Sequence, residues 1–595
     1  MGFTVDIRLS VDLTPFDTVR FYRFDQKYDD AFEIAVADGK GTIKGTNERA
    51  VLIGVYHFFK CQGCRFLRPG SNGELVPRKD KADDVNETWY AKVRHRGVTD
   101  MVVWGVEDGI DNVVDYLDWL PKMAMNTFFI ELEDTYPTMK QRYSRNFALA
   151  QETFSKSHDI RIAELKKRHL IYHNVGHGWT IRMMEGIDTI SFAEDFTPCK
   201  NPEILALING KRQIFQNKPM WTNLCYSQEK VRRDMAQLVY DYSVKHPETD
   251  VIHFWLADYF GNWCECEECK KKRPSDWYVM ILNELDRVFA EHGDNTTKIV
   301  FLVYLELAYA PLVERIRNPE RFIMMFAPYG RDFRRSYRDS VPTEHEPKLN
   351  NDFDFKDMDM NLYLKQLCQW QEVFGGDSFA FDYVFYANAY YEQMCQVDHA
   401  HRLYLDSVDI RNFGLNGKIE CGNGRAMTPT AFPFHAVFTE LFYGNTDYAK
   451  LYADYFESAY GKEQKVSHFL EEVALLLPAA FLAGKRKELT AEEKENVAKA
   501  LAVIANFRTE FNNYLPDERA QRWNCRLFRE FIVILDCYVK LIQNLFSGAN
   551  DESIAEMLHT FKTHLFRTES IATNYLCASF AYDRYMAPIR LVLEK

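Results

Sequence analysis

The sequence begins without a basic stretch leading into an apolar run. MGFTVDIRLSVDLTPFD alternates instead, which is not the pattern of a secretory signal. It contains no run of about 18 uninterrupted apolar residues, so no segment is expected to span a bilayer. Basic charge is not in excess. Lys and Arg number 73 against 86 Asp and Glu, a formal net charge of −13. A nucleic acid or an anionic membrane is therefore not expected as main partner, because phosphate recognition needs a basic footprint. Internal repeats and low-complexity tracts are missing. So is a glycine-rich phosphate cradle, since GNGR (422–425) is too short for a nucleotide fingerprint. Cysteines number 13, an odd count, scattered mostly through apolar segments. With no signal, the expectation is a cytoplasmic protein with free thiols.

What is present is a large globular chain. Its 595 residues suit three to four domains, or one large barrel with appendages. Apolar residues at 47% and charged residues at 27% exclude wholesale disorder. Aromatic residues at 15% suit either a sugar-handling surface or a large core.

Three units follow from the patterning. In 1–92, VDIRLSVD, AFEIAVADG and GTIKGT alternate as half-buried strands do, and 47–70 has an apolar centre at helical spacing that ends in Gly63 and a strand-like CRFL (64–67). This is a small α/β layer, ended by the Gly-, Pro- and charge-rich connector 68–84. From 93 to 425, strand and helix patterns alternate eight times. The expected strands are 100–106, 126–132, 169–175, 250–257, 298–307, 321–327, 378–386 and 414–421. Near-continuous apolar strands separated by helices mean a parallel sheet covered on both faces, and eight of them mean a (β/α)8 TIM barrel. From 426 to 595 only helical patterns remain, an all-α unit. The fold class is thus α/β, with the barrel between a small α/β domain and a helical one.

In such a barrel the active site lies at the C-terminal ends of the strands. Carboxylates and large aromatics crowd there. The ends carry Trp104, Glu107 and Asp108; Glu131, Glu133 and Asp134; His173, Asn174, His177 and Trp179; Trp255 and Asp258. The later strands add Tyr304 and Glu306; Tyr329 and Arg331; Asp382 and Tyr383; Glu420 and Asn423. Glycosidic cleavage needs a proton for the leaving oxygen and stabilisation of an oxocarbenium-like transition state, while aromatic faces stack on sugar rings.

Asp258 is the sharpest candidate, because a core strand has no use for a carboxylate after VIHFWLA; its bland reading is a loop cap. Glu306 in VYLEL faces either the mouth or the helical layer. Asp382 in FAFDYVFY must be paired or functional if buried. Glu420 is a further candidate of the same kind, and His177, between glycines, allows backbone approach to a ligand. Trp104, Trp179, Trp255, Tyr304 and Tyr383 are candidate sugar platforms, each also readable as core. The run Glu131, Glu133, Asp134 reads more simply as a solvated face or loop cap.

A second motif follows strand 4. Cys264, Cys266 and Cys269 form C-x-C-x-x-C, readable as three ligands of a structural zinc completed by a His or a fourth Cys. Packed thiols or a disulfide compete with that reading. A redox centre fits less well, because neighbouring acidic residues raise thiol pKa values.

The residues also carry a resemblance. NERAVLIGVYHFFKCQGCRFLRPG resembles the non-catalytic α/β domain preceding the barrel in family 20 hexosaminidases and α-glucuronidases. HNVGHGW, LINGKR, NLCYSQEKV, FWLADYFGNWCECEECKK and SDWYVMILNELDRVF, taken together, resemble a bacterial barrel family linked to endo-β-N-acetylglucosaminidase activity on N-glycans, glycoside hydrolase family 163. FPFHAVFTELFYGNTDYAKLYADYFESAYG in the tail fits the same family. The resemblance implies the barrel and a glycosidase acting on β-linked N-acetylhexosamine. The family's asparagine-aspartate-glycine element stands here as Ala257-Asp258-Tyr259, so only Asp258 is kept. The adjacent Asp-Glu pair that family 20 carries after strand 4 is not reproduced.

The expected mechanism is retaining. Glu306 protonates the leaving oxygen, the substrate's acetamido group attacks the anomeric carbon, and Asp258 or Asp382 holds it. No cofactor is required for that chemistry; the zinc would be structural. Three other readings remain open. One is a glycosidase on a uronic acid, with Arg331 and His177 receiving the carboxylate. Another is a carbohydrate-binding barrel without turnover. The third is a metal-dependent hydrolase using the Cys cluster or His173 and His177. The partner expected in every glycosidase reading is a carbohydrate, and the helical tail either caps the barrel or pairs two copies into a homodimer.

Overall fold

A computed structural model describes residues 2–100, 110–131, 158–187, 198–354, 358–385, 394–395, 397–422, 430–462, 465–567 and 575–593. Trp104, Glu107, Asp108, Glu133, Asp134 and Asn423 lie outside the described residues.

Strands β1 (Asp6–Val11), β2 (Ala31–Ala37), β3 (Lys40–Gly45) and β4 (Val85–Tyr90) form a sheet in the order β1-β3-β2-β4. Helix α1 (Glu48–Cys61) lies on it. Asn47 caps the helix by accepting the Ala50 amide at 2.8 Å, and Ala50, Ile53 and Phe58 turn inward. Gly54 is required where helix and sheet touch, since a Cβ there would meet Ile43 at 2.9 Å. β4 was not expected from the sequence. The strand-like stretch 64–67 contributes only Arg65–Phe66, paired with Glu74–Leu75 in a separate two-stranded ribbon.

Eight parallel strands close a barrel in chain order: β5 (His95–Asp100), β6 (Thr127–Ile130), β7 (Ile171–Asn174), β8 (Val251–Phe254), β9 (Lys298–Val303), β10 (Phe322–Phe326), β11 (Asp377–Phe385) and β12 (Gly417–Gly422), which pairs back onto β5. The first strand lies about five residues before the expected 100–106. HRGVTD reads as a polar loop because its charges are neutralised from far away in sequence. The fully buried Arg96 guanidinium meets Asp30, which also binds Arg49. This ionic node joins the small sheet to the barrel.

Alternation along the strands sorts side chains into two layers. Phe129, Ile171, Val251, Val300, Ile323, Met325, Phe379, Phe381, Ile419 and Cys421 fill the barrel. Their neighbours Phe128, Tyr172, Ile252, Phe254, Phe301, Met324 and Ala380 face outward into the core shared with the helices. This phase decides which strand-end residues can reach the mouth.

The C-terminal part is helical. Its longest helix, Arg519–Phe546, buries Leu527, Phe528, Phe531, Leu535, Tyr538 and Ile542 along one face. It also touches the N-terminal unit, where Arg68 donates to Asn524 at 2.9 Å. Among the described residues, no helix is long and apolar enough to cross a membrane.

Candidate active site

The C-terminal end of the barrel opens into a pocket. Its floor is Leu302, Met325 and Phe381, and its aromatic walls are Trp255, Tyr259, Trp263, Tyr304, Tyr329 and Tyr383. The polar groups that line it are Glu131, His177, Asp258 and Glu306. Among the described residues, no Lys or Arg lines it.

Asp258 sits in the loop after β8, held on several sides. Its amide donates to the Met220 carbonyl at 3.1 Å, and its carbonyl accepts from Asn262 at 3.0 Å. Asn262 is tied in turn to Asn223, and Asn223 to the Tyr226 hydroxyl. The carboxylate accepts the Tyr259 amide at 2.7 Å and faces the Tyr304 hydroxyl at 3.4 Å. Tyr259 has φ 82°, the left-handed region in which glycine is at ease. The ring is stacked between Trp221 (4.2 Å, 12°) and Phe260 (4.4 Å, 15°), contacts that offset the strain.

Glu306 lies on a single turn, Leu305–Ala308, directly after β9. The strand therefore stops sooner than expected, and the turn delivers the side chain to the pocket wall. Glu306 is 2% exposed. Burial pushes its carboxyl up to about 7, partly offset by hydrogen bonds from the Gly261 amide, its own backbone and Trp263.

Glu131 is a residue the sequence reasoning passed over. It directly follows β6, in the same phase as Phe129, so it points into the barrel mouth rather than to solvent. Burial pushes its carboxyl up to about 8, opposed by hydrogen bonds from Thr99 and Cys421 and reinforced by the negative Asp258. His177 approaches it at 4.0 Å, and burial holds that imidazole below its ordinary pKa. Gly176 makes the arrangement fit, because a Cβ there would lie 2.5 Å from the Trp255 ring. The Trp255 indole N–H is buried without a protein partner among the described residues.

Five expected residues are not brought to this pocket. Trp179 is fully buried between barrel and helices, on the short helix Trp179–Arg182, packed against Tyr242 and Phe254 and with its indole donating to the His253 carbonyl at 2.8 Å. Asp382 and Glu420 point outward, in the phase opposite to Phe381 and Ile419. Asp382 binds Arg331 at 2.6 Å, and Arg331 also binds Asp406 at 2.9 Å. Glu420 pairs with Lys418 at 2.6 Å, and all of these groups are buried between barrel and helices. The Arg331 expected to receive a uronic acid is thus engaged in a buried ionic network. His173 sits inside the barrel, 2.9 Å from His253, and burial holds both imidazoles neutral. Among the described residues, the clusters with metal-ligand spacing include neither His173 nor His177.

Cys264, Cys266 and Cys269 stand apart from the pocket, on the far side of the loop that carries Asp258. They meet a fourth thiol, Cys225. No spacing rule pointed to it, since it lies 39 residues before Cys264.

No family model matches the chain, and no curated protein sequence matches it. Solved structures do. CpGH89 from Clostridium perfringens, in complex with its substrate GlcNAc-alpha-1,4-galactose, aligns over 98% of this chain and 67% of its own, at 12% identity and a TM-score of 0.50. A GH138 enzyme targeting pectin rhamnogalacturonan II aligns over 99% of this chain and 93% of its own, at 11% identity and a TM-score of 0.48. At such identities the likeness to CpGH89 is one of fold.

Proposed function

We propose that this chain is a glycoside hydrolase acting on glycans that contain β-linked N-acetylhexosamine. The observation that carries the reading is the pairing, in one aromatic pocket, of a buried carboxyl poised near neutrality, Glu306, with the anchored carboxylate Asp258 and the Tyr304 hydroxyl beside it. The aromatic walls suit sugar faces. The absence of Lys and Arg among the described lining residues favours a neutral sugar over a uronic acid. CpGH89 has the same overall fold and was captured with a GlcNAc-containing disaccharide, so the scaffold is compatible with such a ligand; the residues must argue the rest.

In this reading Glu306, protonated below about pH 7, gives its proton to the glycosidic oxygen as the bond breaks. The substrate's acetamido oxygen attacks the anomeric carbon from the opposite face. Asp258 accepts the acetamido N–H, and the Tyr304 hydroxyl donates to the acetamido oxygen, so the group is held in the attacking pose. Glu306, now ionised, takes a proton from the water that opens the oxazolinium, and the configuration is retained overall. Glu131 stays protonated at neutral pH and donates a hydrogen bond to a sugar hydroxyl, as does the Trp255 indole.

The test is incubation of the purified chain with an intact glycan library, read by mass spectrometry, with Asp258→Asn and Glu306→Gln alongside. Release of a HexNAc-terminated fragment by the unmodified chain, with both variants much slower, supports the reading. Retention of glycans with no cleavage by any of the three would replace it with a binding barrel.

A further inference from the structure

The four thiols behind the Asp258 loop have the geometry of a metal centre. The Cys225 sulfur lies 3.7 Å from that of Cys266 and 3.9 Å from that of Cys269. All four sulfurs, Cys264 included, fall within 4.8 Å of one another. A zinc ion holds thiolates at about 2.3 Å in a tetrahedron, which places the sulfurs about 3.8 Å apart. A disulfide needs about 2.05 Å between sulfurs. The observed separations fit the tetrahedron and are far too long for a bond.

The surroundings suit thiolates. The Leu207 amide points at the Cys264 sulfur at 3.3 Å, and the Cys269 amide at the Cys266 sulfur at 3.5 Å. The Ser227 hydroxyl lies 3.4 Å from Cys225 and 3.6 Å from Cys266. Such donors hold ligand sulfurs in orientation. The Arg212 guanidinium faces Cys225 and Cys264, where four thiolates around a divalent ion would leave two net negative charges. Three of the cysteines are buried and Cys266 is partly exposed. All four positions are taken by protein sulfur, which is the pattern of a structural site rather than a catalytic one.

We propose that Cys225, Cys264, Cys266 and Cys269 bind one zinc ion, and that the ion staples two segments together: 220–226 and 261–269. Both segments brace the pocket. The first supplies the Met220 carbonyl and Asn223 to the Asp258 loop. The second supplies the Gly261 amide to Glu306 and Trp263 to the pocket wall. Apart from single 3-10 turns at their ends, neither segment has a helix or strand of its own to hold it there. The inference stands on sulfur geometry and does not depend on the reaction proposed above.

The experiment is elemental analysis of the full-length chain purified without chelator, with Cys225→Ser and Cys266→Ser prepared alongside. One zinc per chain is expected in the unmodified protein, falling to near zero in the variants. Should the variants fail to fold, the unmodified chain still decides. Titration of its thiols with a mercurial should release one zinc in step with four thiols, followed by a colorimetric zinc indicator. Replacement by cobalt should give the intense sulfur-to-cobalt absorption of a tetrahedral tetrathiolate site. A folded, metal-free chain with these four cysteines titrating as free thiols or mapped as disulfides would overturn the proposal. So would stoichiometric iron in place of zinc.

Discussion

Glu306 accepts a hydrogen bond from the backbone amide of Gly261 at 2.9 Å. The bond joins the turn after β9 to the loop after β8, which also carries Asp258. Asp258 and Glu306 are therefore both placed by one loop, and a shift in that loop moves both. Burial and the hydrogen bonds from this amide, the residue's own backbone and Trp263 pull the Glu306 proton affinity in opposite directions, and burial wins.

Glu306→Gln tests its role as acid. General acid catalysis typically contributes about 10²–10⁴-fold. The variant should lose that factor in kcat on aryl N-acetylhexosaminides with poor leaving groups. It should lose much less on a dinitrophenyl glycoside, whose leaving group needs no proton. The protonated form is the active one, so kcat/KM of the unmodified chain should fall as pH rises through about 7. That alkaline limb should vanish in the variant. A limb unchanged by the substitution would assign the acid elsewhere.

Asp258→Asn and Tyr304→Phe test acetamido participation. A thiazoline analogue of the oxazolinium intermediate should inhibit the unmodified chain competitively. Losing one positioning group of this kind costs roughly 10²–10³-fold in kcat. Both variants should also bind the thiazoline more weakly, because Asp258 and the Tyr304 hydroxyl hold the same ring atoms. Full activity on substrates lacking the acetamido group would point to a different nucleophile.

The sequence made most of the barrel legible because seven of its strands are apolar enough to stand out. The first does not, since the charge of Arg96 is cancelled by Asp30, 66 residues earlier. Asp258 and Glu306 were legible as charges set among apolar residues. Asp382 and Glu420 carried the same signal and lie elsewhere. What separates the two cases is phase: in β11, Phe379, Phe381 and Tyr383 face the barrel, so Asp382 cannot. Glu131 was hidden by its acidic neighbours, although Phe129 two residues earlier fixes its direction. Cys225 could not be found by spacing, because only the folded chain brings it to the other three thiols. Trp179 looked like a platform from its place after the third strand, and only packing reveals that it is buried between barrel and helices.

Asp382 and Arg331 give a prediction that separates stability from turnover. Arg331 is buried between Asp382 and Asp406, and burial raises the Asp406 carboxyl. Arg331→Met removes the cation that bridges the two carboxylates and leaves only Lys418, 3.9 Å from Asp382, near them. Breaking such a buried network by removing one partner costs about 3–5 kcal/mol. Denaturant unfolding should show a loss of that order, and Asp382→Asn should show a smaller one. The kcat of whatever remains folded should be unchanged in both. A large fall in kcat for Asp382→Asn with stability intact would return that residue to the reaction.

Glu131 sets a pH dependence of stability whose sign is opposite to that of a salt-bridged carboxylate. In the unfolded chain its pKa is the ordinary 4.5; in the folded chain it is about 8. Between those values the folded state holds a proton that the unfolded state has lost. Its contribution is therefore fully present below about pH 4.5 and is lost as pH rises through about 8. Glu131→Gln keeps the shape and cannot titrate. The melting temperatures of variant and unmodified chain should nearly coincide at about pH 4, and the variant should pull ahead as pH rises, by an amount that grows until about pH 8. Each pH unit separating the folded from the unfolded value is worth about 1.4 kcal/mol, so the gap at the alkaline end corresponds to a few kcal/mol. Scanning calorimetry of the two proteins across this range isolates the one group, because every other carboxylate titrates equally in both. A gap independent of pH would mean that Glu131 is ionised in the folded chain, and its role in the pocket would then be that of an acceptor rather than a donor.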